Sequence, residues 1–335
     1  SSAASDVYKR QTEYNIEGLN SEYVYLDIEF LKWYLVQDIK KDFVHLPNQS
    51  IINDYIFLCF VIGNDFIHNS PCINIRYGGL DNLLKIYNQL QEEHAGIFYL
   101  IHNNKLDVTN FKKLIHKISL KENIFLEKIL LIRNKQHNKF KNQFHDIYNA
   151  YINNECLDKY NSYDKEYERD FMNHIPIIDN KDESKIFKDI DTWHRRYYMF
   201  QIYQHHNYNP SYDDILEIQI NDICKNYLES FVWTSNYYFD DCISWKWYYK
   251  YHFAPTMKDF NNYLNNINDL NIIKIDKIPL KSSEQLRLIL PEKSFYLLPK
   301  NVKKFPDYYY PKSFKTNYIM KRYNWEGHPI LPEII

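Results

Sequence analysis

The stretch GLDNLLKIYNQLQEE, from Gly79 to Glu93, decides the fold class of this chain. Apolar residues recur in it at every third or fourth position, so they share one face of a helix. These residues are Leu80, Leu83, Leu84, Tyr87 and Leu90. The stretch is therefore predicted to be an amphipathic helix that packs one side against a core.

Helical patterns flank this stretch on both sides. The residues from Tyr23 to Ile39 are predicted to form a strand or turn that runs into a helix. Thr109 is predicted to cap the helix that follows Glu93. The apolar face of that helix carries Phe111, Leu114, Ile115 and Ile118. Both patterns extend the helical prediction along the first half of the chain.

The second half of the chain follows the same rule. A helix is predicted from Ile215 to Tyr238, and Ser282 with Gln285 forms the pattern of a capping box before a further helix. Pro291 is expected to end that last helix. Strand patterns are much harder to find, and no internal repeat is evident. The sequence therefore predicts a mainly α protein.

Composition excludes several functional classes. The 335 residues carry a formal net charge of -2, so no global positive field indicates nucleic acid or lipid binding. The six glycines form neither a dinucleotide-binding nor a P-loop motif, and the five cysteines contain no CxxC pair. The longest apolar run, Tyr55 to Ile62, is far shorter than the ~20 residues of a membrane span. We expect an intracellular globular protein that does not enter a membrane.

The strongest candidate for chemistry lies in DYIFLCFVIGNDFIHNSP, Asp54 to Pro71. A continuous apolar segment ends there at Gly63, and Asp65 follows at the exit of this buried element. A carboxylate held at such a point can bind Mg²⁺ or Mn²⁺, because hard cations prefer oxygen ligands. Alternatively, Asp65 caps the next element, and local sequence alone favours this second interpretation.

Eight segments, in order, resemble the motifs of the Xrn-type 5′-to-3′ exoribonucleases. The most distinctive is YLESFVWTSNYYFDDCISWKWYYKYHFAPTMKDF, and the family's GNDF motif stands within IINDYIFLCFVIGNDF. The eight segments occupy residues 51–66, 73–87, 99–115, 192–198, 227–260, 279–291, 305–311 and 324–332. The similarity covers nearly all of the chain from Ser21 to Ile335. It favours metal binding by Asp65 over the capping role that local sequence alone favours.

The resemblance implies an enzyme that removes nucleoside monophosphates one at a time from single-stranded RNA with a 5′-monophosphate. In such an enzyme a cluster of carboxylates holds two Mg²⁺ ions, which activate water and neutralise the leaving oxygen. Asp65 matches the acidic residue of GNDF and is expected to be both catalytic and metal-binding, with Asn64 and Phe66 in support. The other acidic ligands and the basic phosphate pocket are expected upstream of Thr12.

The resemblance also implies a base-stacking residue in the aromatic tract. The family uses a tryptophan of this motif to stack on the first bases of its substrate, and stacking suits a sequence-independent nuclease because every base has a π face. Trp245 and Trp247 are both candidates, with His252 in a supporting role. Most aromatic residues of the tract are expected to be core.

The resemblance divides the chain into three parts. Residues 1–11 read like translated adaptor sequence, residues 12–60 are expected to be the tail of an α/β nuclease core, and residues 61–335 the Xrn-type helical domain. The fold class is thus the helical lobe of an Xrn-type exoribonuclease with a short remnant of the α/β core at its N-terminal end. This chain alone is expected to be inactive.

The chain departs from the family's pattern beside the candidate metal ligand. His68, Asn69 and Ser70 stand where the family has Pro, His and Leu, and Tyr77 replaces a glutamate. An alternative hypothesis follows from these changes, in which the protein binds RNA or acts as a scaffold without catalysis. Retention of Asp65 favours the enzyme instead.

Overall fold

A computed structural model describes residues 25–41, 44–143, 181–203, 213–267, 273–300 and 315–330, with the single positions 149 and 177. The α-helices in these ranges are α1 (Ile28–Ile39), α2 (Asn48–Ile62), α3 (Gly79–Glu93), α4 (Val108–Gln143), α5 (Lys181–Ile186), α6 (Trp193–Tyr203), α7 (Asp213–Phe239), α8 (Met257–Asn265) and α9 (Ser282–Ile289). Short 3₁₀ helices span Ile75–Tyr77, Glu292–Leu297 and Asn324–Glu326. The prediction of a mainly α protein is confirmed.

The strands of the described ranges form two short antiparallel pairs. Strand β1 (Ile101–His102) pairs with β2 (Lys105–Leu106), and β3 (Lys315–Asn317) pairs with β4 (His328–Ile330). Asn103 and Asn104 close the first hairpin with φ of 48° and 62°, a left-handed conformation that asparagine tolerates. In the second pair Asn317 lies opposite His328, which brings both residues to the same side of the molecule.

Helix α2 lies at the centre of the core. Phe57, Leu58 and Val61 have no exposed surface, and α2 packs against α1, α3, α7 and strand β1. The ring of Phe57 lies 5.5 Å from that of Phe111 in α4, whose ring is 5.1 Å from Phe231 in α7. The long apolar run of the sequence is therefore a helix buried on nearly every side.

Helix α8 packs along α4 and begins at a buried carboxylate. Glu122 in α4 accepts the backbone N–H groups of Met257 at 2.6 Å and Lys258 at 3.0 Å. These N–H groups belong to the first turn of α8, where the helix dipole favours a negative charge. Glu122 therefore fixes the start of α8, directly after the aromatic tract, against the core.

Several sequence predictions are confirmed at the level of helices. Helix α3 has the bounds predicted for Gly79 to Glu93, and α7 contains the predicted helix from Ile215 to Tyr238. The predicted caps were wrong. The carboxylate of Asp107, and not Thr109, caps the helix after β2 by accepting the N–H of Asn110 at 2.8 Å.

The start of helix α9 differs from the second predicted cap. Its N-cap residue is Lys281, and the Glu284 carboxylate accepts the Lys281 N–H at 3.0 Å. Ser282 therefore lies inside the first turn, so the predicted capping box of Ser282 with Gln285 was wrong. In both cases a carboxylate near the predicted residue takes the backbone N–H, because a charged acceptor makes the stronger hydrogen bond.

Candidate metal and RNA site

The turn after α2 presents Asp65 to solvent. Helix α2 ends at Gly63, whose φ of 104° favours glycine, and an added Cβ there would lie 3.1 Å from the backbone nitrogen of Asn69. The Oδ1 atom of Asn64 then accepts the N–H groups of Phe66 at 2.8 Å and Ile67 at 2.9 Å. Asn64 therefore takes the capping role, and Asp65 is left exposed at the tip of the turn.

The carboxylate of Asp65 has no hydrogen bond or ion pair with any residue that the structure describes. This property fits one oxygen ligand of a Mg²⁺ or Mn²⁺ ion, because its lone pairs are not used by the protein. It does not make a complete site. Within the described ranges no group of three or more His, Cys, Asp or Glu side chains could hold a metal ion.

Phe66 attaches the Asp65 turn to helix α7. Its ring lies 5.0 Å from Trp233 and 5.6 Å from Tyr237, both edge to face. Trp233 is itself sandwiched between Tyr237 at 5.1 Å and Trp247 at 5.4 Å, with interplanar angles of 10° and 24°. We call Tyr237, Trp233 and Trp247 the aromatic stack. It connects the turn that carries Asp65 with the tract that carries the candidate RNA-stacking residues.

The two tryptophans nominated from the sequence have different environments. Trp247 is partly buried, covers one face of Trp233, and donates its Nε1–H to Glu229 at 3.1 Å. Trp245 is 50% exposed, and its backbone N–H bonds to the carbonyl oxygen of Asp276 at 2.9 Å. Trp247 therefore completes the aromatic stack, whereas the ring of Trp245 is half open to solvent.

His252 lies in a different place from Asp65, in a cavity of about 330 Å³. The residues that line the cavity include His68, His252, Lys321, Arg76 and Glu326, but not Asp65. The His328 ring is 4.9 Å from His68 and 6.4 Å from His252. We call this the histidine cavity. It adjoins the Asp65 turn, since His68 and Asn69, which end that turn, line the cavity.

The histidines around the cavity have lowered pKa values. Burial, together with the neighbouring His328 and Lys321, lowers the pKa of His68 to about 3. Burial and His328 lower the pKa of His252 to about 4. Both rings are therefore neutral at physiological pH, and Lys321 is the charged neighbour that contributes to the lowered pKa of His68.

Comparison with known proteins agrees with the motifs and the helical fold. The family model described as the Xrn1 helical domain matches residues 46–185 and 178–334. The chain belongs to the Xrn1 helical domain family. The resemblance inferred from the sequence is thereby confirmed, and Asp65, both tryptophans and His252 all lie within the matched residues.

Relatives of this Xrn1 helical domain are 5′-3′ exoribonucleases. The chain is 26% identical over 347 residues to human 5′-3′ exoribonuclease 1, which covers 97% of this chain and 19% of the human protein. It is 24% identical over 375 residues to 5′-3′ exoribonuclease 2 of Arabidopsis thaliana, covering 92% of this chain and 36% of that protein. The homologue of exoribonuclease 2 from Drosophila melanogaster is also 24% identical. The chain thus spans well under half the length of these relatives.

Two residues that sequence reasoning missed stabilise this Xrn1 helical domain. Asp54 is fully buried and accepts hydrogen bonds from Tyr87 Oη at 2.7 Å and from the N–H groups of Leu100 and Ile101 at 2.8 and 2.9 Å. Arg133 forms a two-pronged ion pair with Glu183, each contact 2.7 Å long. The signal for Asp54 was available, since an aspartate inside an apolar helical run must find donors when buried.

Two adjacent arginines of α6 are bound to other described residues. Arg195 pairs with Glu217. Arg196 donates to the carbonyl oxygens of Ile186 at 2.9 Å and Asp189 at 2.7 Å. Arg196 therefore has a structural role, because its guanidinium group holds the backbone between α5 and α6. His205 and His206 lie outside the described residues.

None of the helices in the described ranges is both long and apolar enough to cross a membrane.

Proposed function

We propose that this chain is the helical lobe of a larger 5′-to-3′ exoribonuclease that hydrolyses 5′-monophosphorylated single-stranded RNA to nucleoside monophosphates. The observation that carries the proposal is family membership, together with relatives that are named 5′-3′ exoribonucleases. These relatives are longer than this chain, which leaves room in the parent protein for a nuclease core. The proposed boundary places the tail of that core at residues 12–60 and the helical domain at residues 61–335.

Asp65 is proposed as the single ligand that this lobe contributes to the metal centre. Two Mg²⁺ or Mn²⁺ ions, when bound, would activate a water molecule and neutralise charge on the leaving oxygen. The remaining carboxylates are proposed to come from parts of the parent outside this chain. The support within the chain is the exposed Asp65 carboxylate, free of partners among the described residues, and the turn that Asn64 and Phe66 hold in place.

Trp245 is proposed as the stacking platform for RNA, in preference to Trp247. A base needs an open aromatic face, and half of the Trp245 side chain is exposed. Tyr248, at 56% exposure, adds a second aromatic side chain nearby. Trp247 already uses one face on Trp233 and its Nε1–H on Glu229, so its role is to support the tract.

The proposal is tested with the longer native protein that contains this chain. Two RNAs of identical sequence are compared, one with a 5′-monophosphate and one with a 5′-hydroxyl group, in Mg²⁺ and in EDTA. We expect nucleoside monophosphates to be released from the phosphorylated RNA alone, and only in Mg²⁺. Release of internal fragments, or equal degradation of both RNAs, would contradict the proposal.

The alternative is an RNA-binding or scaffold protein without catalysis. The loop beside Asp65 favours it, because His68 turns into the histidine cavity where the family has a different sequence. In that case the longer protein binds single-stranded RNA, but neither 5′-phosphorylated RNA nor Mg²⁺ produces any nucleoside monophosphate.

A further inference from the structure

The histidine cavity contains two nitrogen atoms that no described residue satisfies. The Nε2 atom of His252 is buried without a hydrogen-bond partner. The other ring nitrogen of His252 bonds to the backbone of Gln201, so the neutral ring presents Nε2 as an acceptor. The second atom is the ammonium nitrogen of Lys321, which has no hydrogen-bond partner among the described residues. An unsatisfied buried polar atom is costly, so His252 Nε2 indicates a missing partner, and the partly buried Lys321 brings an unpaired charge to the same cavity.

The carboxylate that lines the cavity, Glu326, is bound to other groups and does not satisfy Lys321. Glu326 pairs with Arg76 and accepts the N–H groups of Arg322 at 2.8 Å and Tyr323 at 3.3 Å. Burial therefore lowers the pKa of Lys321 by more than the charge of Glu326 raises it. The positive charge of Lys321 also contributes to the lowered pKa of His68 and of His328. Among the described lining residues, Arg76 and Lys321 bring two positive charges and Glu326 one negative charge, so the cavity has a net positive charge.

The size of the cavity limits what can enter it. Its volume of about 330 Å³ lies at the lower end of the range for small-molecule sites, which runs from about 300 to 1,000 Å³. The lining is mainly polar, with an aromatic wall from Phe253 and Tyr197. A small anion with hydrogen-bonding oxygens fits this space, whereas a polymer does not.

We propose that the histidine cavity binds a small phosphomonoester, either inorganic phosphate or a nucleoside monophosphate. The Lys321 ammonium pairs with the phosphate oxygens in a charge-assisted contact. The Nε2 lone pair of His252 accepts the P–OH hydrogen of the singly protonated phosphate. This pairing satisfies both of the unpartnered nitrogens, and it does not depend on the proposed nuclease activity.

The test is calorimetric titration of this chain with three probes: inorganic phosphate, sulfate and AMP. Sulfate has the shape and charge of phosphate but carries no proton near neutral pH, so it cannot donate to His252. We expect saturable one-to-one binding of phosphate and clearly weaker binding of sulfate. Tighter binding of AMP than of phosphate identifies the nucleoside monophosphate as the better ligand, and equal binding identifies the free ion.

Two variants remove one lysine charge each, one inside the cavity and one outside it. Lys321→Met removes the ammonium from the cavity and should weaken phosphate binding by about tenfold or more. Lys128→Met removes an exposed lysine of α4 and should leave binding unchanged. Circular dichroism and thermal unfolding check that both variants fold.

A third variant isolates His252. His252→Phe keeps a ring but removes the acceptor, and it should abolish the preference for phosphate over sulfate. The proposal is overturned if phosphate does not saturate, if Lys321→Met binds as well as Lys128→Met, or if wild-type protein binds sulfate as tightly as phosphate.

Discussion

At the scale of single residues, buried carboxylates organise the backbone of this domain. Asp54 joins α2 to Tyr87 in α3 and to the backbone just before and within β1. Glu122 joins α4 to the first turn of α8. Each uses side-chain oxygens to satisfy backbone N–H groups that are buried with it. These contacts link residues 33 to 136 positions apart in the sequence.

Replacement of Asp54 should separate hydrogen bonding from charge. In Asp54→Leu the N–H groups of Leu100 and Ile101 lose their acceptor, and the free energy of unfolding should fall by about 2 to 5 kcal/mol. Asp54→Asn keeps one accepting oxygen and should cost about 1 kcal/mol. Urea unfolding of the three proteins measures the difference. Equal losses in both variants would contradict this role.

The same residue predicts a dependence of stability on pH. Burial raises the pKa of Asp54 from 3.8 to about 7, so the folded chain holds this proton more tightly than the unfolded chain does. Its contribution is fully present below about pH 4 and is lost as the pH rises through about 7. Asp54→Asn should remove this part of the decline. Unfolding curves between pH 4 and pH 8 measure the free energy of unfolding of the wild type and of Asp54→Asn. An equal decline in the two proteins would refute the assignment.

Trp245 and Trp247 should respond differently to substitution. Trp245→Ala should weaken binding of single-stranded RNA to the longer protein by about 1 to 3 kcal/mol and leave folding unchanged. Trp247→Ala removes part of the aromatic stack and should lower the free energy of unfolding instead. Fluorescence anisotropy with labelled RNA and thermal unfolding measure the two effects. The reverse pattern would identify Trp247 as the stacking residue.

At the scale of elements, the aromatic stack fixes the turn after α2 against α7. Trp233 is 7% exposed, and its Nε1–H donates to the Ser244 carbonyl oxygen at 2.7 Å. The ring of Phe66 packs edge to face against Trp233. Tyr227, also in α7, donates its Oη–H to the His68 carbonyl oxygen at 2.9 Å. Both ends of the turn are therefore held by one helix. We infer that Trp233 positions Asp65 through Phe66.

Substitution of Trp233 tests this inference. Trp233→Leu should lower the free energy of unfolding by about 2 to 4 kcal/mol and increase amide exchange at residues 64–67, because Phe66 loses its support. Trp245→Leu, in the same tract but exposed, serves as the control and should change neither quantity appreciably. Unchanged exchange at residues 64–67 in Trp233→Leu would show that the stack does not hold the turn.

The sequence predicted helices well and contacts between helices poorly. Helix α3 was predictable because its apolar spacing is a local property of fifteen residues. The cap of α9 was not predictable, since the hydroxyl of Ser282 and the carboxylate of Glu284 lie within one turn and both can accept a backbone N–H. Only the observed hydrogen bond, from the Lys281 N–H to Glu284, decides between them. The pairing of Phe66 with Trp233 joins residues far apart in the chain, and no local pattern records it. The GNDF motif identified Asp65. Its exposure depends on the turn, in which Asn64 and not Asp65 accepts the backbone N–H groups.

At the scale of the whole molecule, the described helices form a scaffold that exposes Asp65 and the ring of Trp245. The family match includes both Asp65 and the aromatic tract with Trp245. In the proposed metal centre, further carboxylates would have to come from other parts of a longer parent protein. A single substitution in the longer protein therefore decides whether this lobe takes part in catalysis.

The most direct test compares Asp65→Asn with Asp214→Asn in the longer native protein. Asp214 is also exposed, so the control removes the same charge far along the sequence. We expect Asp65→Asn to abolish release of nucleoside monophosphates from 5′-phosphorylated RNA in Mg²⁺ while RNA binding is retained, and Asp214→Asn to remain fully active. Undiminished activity of Asp65→Asn would contradict the account.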